Sequence, residues 1–300
     1  MARRDHSPRE EGSSRGSLFF TRDRLRRARC AAYLIVHSSD IPPDIFLARS
    51  SEPVFNVPPV VLGLSVVMAL VHGLRAFLDQ ADTSTLLLWF AFIPARYDSA
   101  IAATVQFPGG LGADIWTFVT HAFLHADVMH LVANLVWFLA FGSAVAWRFG
   151  ALRFFTFFMA TTAAGAAAFL LLHWGELIPV IGASGAISGM MAAACRFVFA
   201  EGGPLGLFGR NDREAYKIPA VSLRSALQNS RVVTFLSIWF LFNLIFGISA
   251  LSSAFTDATV AWEAHIGGFV AGLLLFRLFD PVPRTTTGVP LAPTGGEEDD

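Results

Sequence analysis

Apolar positions in this chain are grouped in long blocks that short polar connections separate. Six blocks are long enough to cross a membrane, since about 20 helical residues span a hydrocarbon core roughly 30 Å thick. In lipid each block has to be helical, because its backbone must satisfy its own hydrogen bonds. The six predicted spans are residues 58–78, 128–147, 154–173, 181–199, 232–251 and 264–279.

The flanks of this apolar region are different in character. We expect residues 1–57 to form an Arg-rich, partly disordered cytoplasmic arm, and residues 281–300, rich in Pro, Thr and acidic groups, to form a disordered tail. Residues 58–280 are then one all-α, polytopic bundle of six transmembrane helices. The short apolar stretch 86–93 stops at Pro94, and it is either an interfacial element in one leaflet or an ordinary buried loop segment.

Composition agrees with the hydropathy pattern. Hydrophobic residues make up 54% of the chain and charged residues 15%, whereas a soluble domain carries about 25% charged residues. The net charge of −1 provides no basic field that would attract nucleic acid. The two cysteines form neither a disulfide framework nor a CxxC pattern.

The distribution of basic residues predicts the orientation of the bundle. If alternate connections lie on opposite sides, one side holds 20 of the Lys and Arg residues and the other holds 2, and without the distant part of the arm the ratio is 11 to 2. Basic residues favour the cytoplasmic side. We therefore expect both termini in the cytoplasm, in a multi-pass protein of a bacterial inner (plasma) membrane.

Polar side chains inside the predicted spans are the candidates for chemistry, because polar groups are costly in lipid. Ser184 begins the fourth span, where the helix dipole and free backbone N–H groups stabilise negative charge. His265 begins the sixth span, and glycines at four-residue spacing on both spans would let the helices approach closely. His130 and Asn134 lie near the start of the second span. The predicted topology puts these four residues on one side at similar depth, which suits nucleophilic catalysis.

Simpler explanations exist for each of these residues. The small residues around Ser184 are typical of a helix-packing face, and a single histidine near a helix end is often an interfacial side chain. The histidines at 121, 125 and 130 could bind zinc, but the sequence has no HExxH motif and no carboxylate at a ligand spacing. Asn243 in the fifth span has no evident partner, and we interpret it as an interhelical hydrogen-bonding residue.

Three motifs together resemble the rhomboid family of intramembrane serine proteases. They are HAxxHxxxxHxxxN from His121 to Asn134, GxSG from Gly182 to Gly185, and AHxxGxxxG from Ala264 to Gly272. They occur in family order in spans two, four and six. Each motif is weak alone, and the combination is specific.

The resemblance implies a six-helix rhomboid-like bundle and an activity. Ser184 would be the nucleophile and His265 the general base of a dyad, with His130 and Asn134 donating hydrogen bonds to the oxyanion. The substrates would be transmembrane segments of other membrane proteins, cleaved within the lipid bilayer, and no metal or cofactor would be needed. The alternatives are a catalytically inactive relative that binds transmembrane clients, or a small transporter.

Two positions depart from the family pattern. Members often carry an aromatic residue four positions after the serine, stacked on the catalytic histidine, and this chain has Ser188 there. The orientation of His265 then has to come from elsewhere, and the Ser188 hydroxyl is one candidate. Many members also have Trp-Arg in the first external loop, where this chain has Trp116-Thr117.

Overall fold

A computed structural model describes residues 57–206, 213–247 and 261–283, which belong to one compact unit that begins at Val57. The predicted arm up to residue 56 and most of the predicted tail lie outside these residues. The described part is helical apart from turns and one isolated β-bridge, between Phe92 and Val180. Its α-helices are α1 Pro59–Arg75, α2 Gln80–Phe90, α3 Ser99–Val105, α4 Gly110–Thr120, α5 Val128–Trp137, α6 Ser143–Phe149, α7 Ala151–Leu172, α8 Ser184–Ala194, α9 Leu223–Gln228, α10 Ser230–Gly247 and α11 Trp262–Phe279.

Short helical turns of other types connect some of these elements. Helices α5 and α6 form one continuous helical rod, because a π-helical turn at Phe138–Gly142 joins them. The remaining short turns are 3₁₀ helices at Pro94–Tyr97, His121–Phe123 and Arg213–Lys217.

Three helical segments in the described ranges are long and apolar enough to cross a membrane: Val128–Phe149, Ala151–Leu172 and Trp262–Phe279. Two shorter apolar helices, Pro59–Arg75 and Ser230–Ile245, correspond to the first and fifth predicted spans. The predicted all-α, multi-pass class is therefore confirmed. The number of six spanning helices stays a prediction, since α8 has only 11 residues.

The fourth predicted span, 181–199, is only partly helical. Helix α8 starts at Ser184 and stops at Ala194, and turns follow from Cys195 onward. Almost every residue from Gly185 to Val198 is buried. Non-helical backbone is tolerated at membrane depth where protein rather than lipid surrounds it, so burial explains why this segment need not remain helical.

Helices α7 and α11 enclose α8, and small residues allow their close approach. A Cβ atom added at Gly268 would collide with the carbonyl oxygen of Gly185, and one added at Gly272 would collide with that of Gly189. A Cβ atom added at Gly189 would lie 2.6 Å from Cγ2 of Thr161 in α7 and 2.9 Å from the carbonyl oxygen of Gly268 in α11. The glycine faces predicted on the fourth and sixth spans are therefore confirmed as contact surfaces.

Arg148, in the last turn of α6, makes hydrogen bonds to several other segments of the chain. The guanidinium group of Arg148 donates to both carboxylate oxygens of Asp280, at 2.8 and 2.9 Å, and to the carbonyl oxygens of Tyr216 and Ile218, both at 2.8 Å. It lies over the ring of Phe197, with 4.6 Å between the guanidinium carbon and the ring centroid. The arginine is buried, so these contacts have to compensate for the loss of water around a charge.

The connection between α1 and α5 is itself built of short helices. The stretch 86–93 is divided: its first part belongs to α2, which has no buried residue, and Ala91, Phe92 and Ile93 are buried. Phe92 exchanges two backbone hydrogen bonds with Val180, of 2.8 and 3.2 Å. This bridge fixes the connection to the segment that leads into α8.

Candidate active site

The turn before α8 determines where Ser184 lies. Gly182 has φ +111°, a conformation that side chains rarely adopt, and its backbone N–H donates to the carbonyl oxygen of His121 at 2.9 Å. The chain then turns at Ala183 and enters α8 at Ser184, which is half-buried. Ser184 is thus the first residue of a helix, where the positive end of the helix dipole lies.

His265 of α11 contacts this serine directly. Its Nε2 atom lies 2.7 Å from the Ser184 Oγ atom. The glycine contacts between α8 and α11 bring the two residues this close, because Gly268 lies one turn after His265 and Gly185 follows Ser184. The approach of these two side chains that the glycine spacing suggested is therefore present.

His130 lies on the other side of the turn. Its Nδ1 atom accepts a hydrogen bond of 3.3 Å from the backbone N–H of Ala126. A backbone N–H can only donate, so a neutral His130 ring carries its proton on Nε2. That Nε2 atom faces Gly182, since a Cβ atom added there would lie 2.7 Å from it. His130 therefore directs a donor at the backbone just before Ser184.

Asn134 lies one turn after His130 and is buried. Its Nδ2 atom donates to the His130 carbonyl oxygen at 2.9 Å. Its Oδ1 atom is buried without a hydrogen-bond partner among the described residues. One N–H of the amide is committed to the helix backbone, and the second hydrogen on Nδ2 can serve another acceptor.

The other two histidines of the first motif are buried in the connection that leads into α5. His121 is buried and bonds through Nδ1 to the Thr117 carbonyl oxygen at 2.9 Å; burial lowers its pKa to about 4. Burial, followed by the charges of His130, His72 and Arg75, lowers the pKa of His125 to about 3.

Arg75, the last residue of α1, makes hydrogen bonds to the connection that leads into α5. It donates to the carbonyl oxygens of His125 and Ala126, at 2.5 and 3.1 Å. Its charge therefore stabilises the turn that precedes His130. In the part of the chain that the structure covers, no three His, Cys, Asp or Glu side chains are grouped so that they could hold a metal ion.

The two departures from the family pattern have structural explanations. The Ser188 hydroxyl donates to the Ser184 carbonyl oxygen at 2.8 Å, in its own helix. The expectation that it orients His265 is wrong, because the two ring nitrogens of His265 contact Asn243 and Ser184 instead. A serine in mid-helix satisfies its hydroxyl on the carbonyl four residues earlier. Thr117 does the same with Ala113 at 2.7 Å, and its hydroxyl lies 3.2 Å from that of Tyr97.

A different arginine supports the first loop. The Arg96 side chain is buried and donates to the carbonyl oxygens of Pro108, at 3.0 Å, and Leu88. It also lies 3.6 Å from the Asp114 carboxylate and sits over the ring of Phe107. Nothing in the sequence distinguished Arg96 from any other loop arginine, because these partners come from three different loop segments.

Asn243 of α10 contacts the site, and the sequence did not identify its partner. Its Oδ1 atom lies 2.5 Å from the Nδ1 atom of His265. The expectation of an interhelical hydrogen bond is confirmed. A polar residue within an apolar span was the only available signal, and it could not name the residue on the neighbouring helix.

The fold and the site together define a helical, multi-pass membrane protein with a serine–histidine contact at the start of a buried helix. A family model described as "Rhomboid domain" matches residues 112–280, which is more than half of the chain. A comparison with curated proteins found no match. The chain belongs to the rhomboid family.

Proposed function

We propose that this protein is an intramembrane serine endopeptidase that cleaves transmembrane segments of other membrane proteins. The observation that carries the proposal is the 2.7 Å contact between His265 Nε2 and Ser184 Oγ. A serine hydroxyl is a weak nucleophile until an adjacent base removes its proton. Membership of the rhomboid family, whose members typically have this activity, supports the same conclusion.

The first chemical step is acyl transfer to the serine. His265 accepts the hydroxyl proton through Nε2 while Ser184 Oγ attacks the carbonyl carbon of the scissile peptide bond. The carbonyl oxygen becomes a tetrahedral oxyanion. His265 then delivers the proton to the leaving amine, and the acyl-enzyme forms.

The oxyanion needs hydrogen-bond donors already in place. His130 offers Nε2–H beside Gly182, Asn134 offers its second amide hydrogen, and the Ser184 backbone N–H lies at the positive end of α8. Losing one such donor typically costs about 3 kcal/mol in the barrier. Water then attacks the acyl-enzyme, with His265 acting again as base, and releases the second product.

The proposed location follows from the charge distribution. The Lys and Arg residues favour an arrangement with both termini in the cytoplasm, which would put Ser184 and His265 in the external half of an inner (plasma) membrane. Labelling single cysteines with an impermeant maleimide in intact cells tests this orientation, in a protein whose Cys30 and Cys195 are first replaced by alanine. A cysteine at Asp82 should react before lysis and one at Ser222 only after lysis; the reverse pattern would refute the orientation.

Cleavage of a substrate with a single transmembrane helix, by purified protein in lipid vesicles, tests the activity. Wild-type protein should cut the helix, and Ser184→Ala should leave it intact. Undiminished cleavage by Ser184→Ala would show that another protease is responsible. Binding of the helix without cleavage by the wild type would favour an inactive relative that holds transmembrane clients.

A further inference from the structure

Asn243 is the polar side chain in contact with His265 on the face opposite Ser184. It is buried in α10, with 7% of its surface exposed. Its two amide ends are used differently: Nδ2 donates to the Trp239 carbonyl oxygen at 2.8 Å, and Oδ1 lies 2.5 Å from His265 Nδ1. A buried polar group inside an apolar helix is costly unless both ends are satisfied.

The backbone carbonyl of Trp239 determines the direction of the hydrogen bonds that link Trp239, Asn243 and His265. A carbonyl can only accept, so the end of the Asn243 amide beside it must be the NH₂ group. The other end is then the oxygen, which also can only accept. The group opposite it, His265 Nδ1, must carry a proton.

The consequence for His265 lies at its other nitrogen. A neutral imidazole has one N–H, and if Nδ1 carries it, Nε2 has a free lone pair. Nε2 is the atom 2.7 Å from Ser184 Oγ. The ring can then accept the hydroxyl proton without first changing tautomer.

No other contact among the described residues fixes the position of the proton on the His265 ring. The residue four positions after the serine is Ser188, whose hydroxyl is committed to the Ser184 carbonyl. The described hydrogen bonds of the His265 ring are those to Asn243 and Ser184. An aromatic ring could fix the plane of an imidazole by stacking, but only a hydrogen-bond acceptor can fix the position of its proton.

We propose that Asn243 is the positioning residue of the site, and that its amide oxygen holds His265 in the Nδ1–H tautomer and stabilises the imidazolium formed during acylation. This inference rests on the proposed protease function and adds a third member to the Ser184–His265 pair. An amide suits a membrane interior better than a carboxylate there, because it accepts the same hydrogen bond without a buried negative charge.

Asn243→Leu removes the acceptor at nearly constant volume, and Asn243→Asp restores an acceptor oxygen at the same position. Labelling by a fluorophosphonate measures nucleophilicity, and ¹⁵N NMR of the histidine rings measures the tautomer independently of activity. Comparison with His265→Gln assigns the His265 signals. In serine proteases with a triad, a histidine held in the wrong tautomer lowers kcat about 10⁴-fold. In Asn243→Leu neither tautomer of His265 is enforced, which is a smaller defect, so we expect labelling to be about 100-fold slower than in the wild type.

Trp239→Leu is the matched control. The Trp239 ring stacks on Phe269 of α11 at 5.0 Å between centroids, so the substitution weakens the same helix pair and leaves Asn243 in place. It should lower the thermal stability but keep the Nδ1–H signal of His265. Asn243→Leu should lose that signal, and Asn243→Asp should label within about 10-fold of the wild type.

Several results would overturn the inference. They are a proton on Nε2 in resting wild-type protein, wild-type labelling by folded Asn243→Leu, and failure of Asn243→Asp to label faster than Asn243→Leu. If Asn243→Leu does not fold, the NMR measurement of the His265 tautomer in the wild type decides whether the inference holds. If wild-type protein is not labelled at all, the protease function fails, and the NMR measurement still decides the role of Asn243.

Discussion

Ser184 Oγ and His265 Nε2 are 2.7 Å apart although 81 positions separate the two residues in the chain. They meet because α8 and α11 touch backbone to backbone, glycine against glycine. The reactive contact is therefore a property of helix packing, and it should respond to changes that leave both side chains intact.

Gly268→Ala tests this dependence. Its Cβ atom would collide with the Gly185 carbonyl, so α11 has to move away from α8 and carry His265 with it. We expect fluorophosphonate labelling of Ser184 to slow at least 100-fold, since a misplacement of about 1 Å can cost that much. Gly63→Ala is the control, because apart from the backbone of its own helix and its chain neighbours nothing lies within 4 Å of a Cβ there. Equal labelling rates for the two variants would contradict the packing account.

Gly182→Ala tests the position of His130. The added Cβ would lie 2.7 Å from His130 Nε2, at the place proposed for the oxyanion donor. We expect kcat to fall about 100-fold or more, as when one oxyanion donor is lost. Gly150→Ala is the matched control: its φ of +78° imposes a similar backbone strain, but nothing lies within 4 Å of its Cβ. If Gly150→Ala lowers kcat equally, strain alone explains the effect.

Arg148→Ala tests the buried ion pair with Asp280. It removes one partner and leaves a carboxylate and two carbonyl groups without their donor. We expect the free energy of unfolding to fall by about 3–5 kcal/mol, measured by denaturation in detergent. Lys217→Ala removes an exposed pair with Glu214, of 2.8 Å, and should cost less than about 1 kcal/mol. Similar losses in the two variants would be inconsistent with a structural role for Arg148.

His121 should make the protein sensitive to acid. Burial lowers its pKa from 6.5 to about 4. Above pH 6.5 the ring is neutral in both states and contributes nothing. As the pH falls from 6.5 towards 4, the unfolded chain gains a proton that the folded protein excludes, so stability is lost. The loss should be on the order of 3 kcal/mol.

His121→Phe removes this titration while keeping a buried ring. The free energy of unfolding of the variant should therefore depend less on pH between 6.5 and 4 than that of the wild type. Parallel pH profiles for the two proteins would show that His121 titrates normally in the folded state.

The sequence predicted those features that depend on short-range pattern. Hydropathy blocks predicted the helices, and the four-residue spacing of His130 and Asn134 predicted that both lie on one helix face. The glycines near Ser184 and His265 predicted which helices would touch. Each of these features needs only the period of a helix and the length of a span.

What the sequence did not predict depends on how helices are rotated and where irregular segments run. The partner of Asn243 lies on another helix, 22 residues away. Ser188 turned out to bond within its own helix, and Arg96 takes its partners from several parts of the first loop. Burial permits α8 to end as early as Ala194, and hydropathy alone cannot distinguish burial in protein from exposure to lipid.

Mass spectrometry of the protein after reaction with a fluorophosphonate tests most directly whether Ser184 and His265 act as a nucleophile and its base. We expect one adduct on Ser184 in the wild type and its loss in His265→Ala, because the hydroxyl is a weak nucleophile without its base. An unmodified Ser184 in folded wild-type protein, or an undiminished adduct in His265→Ala, would contradict these roles.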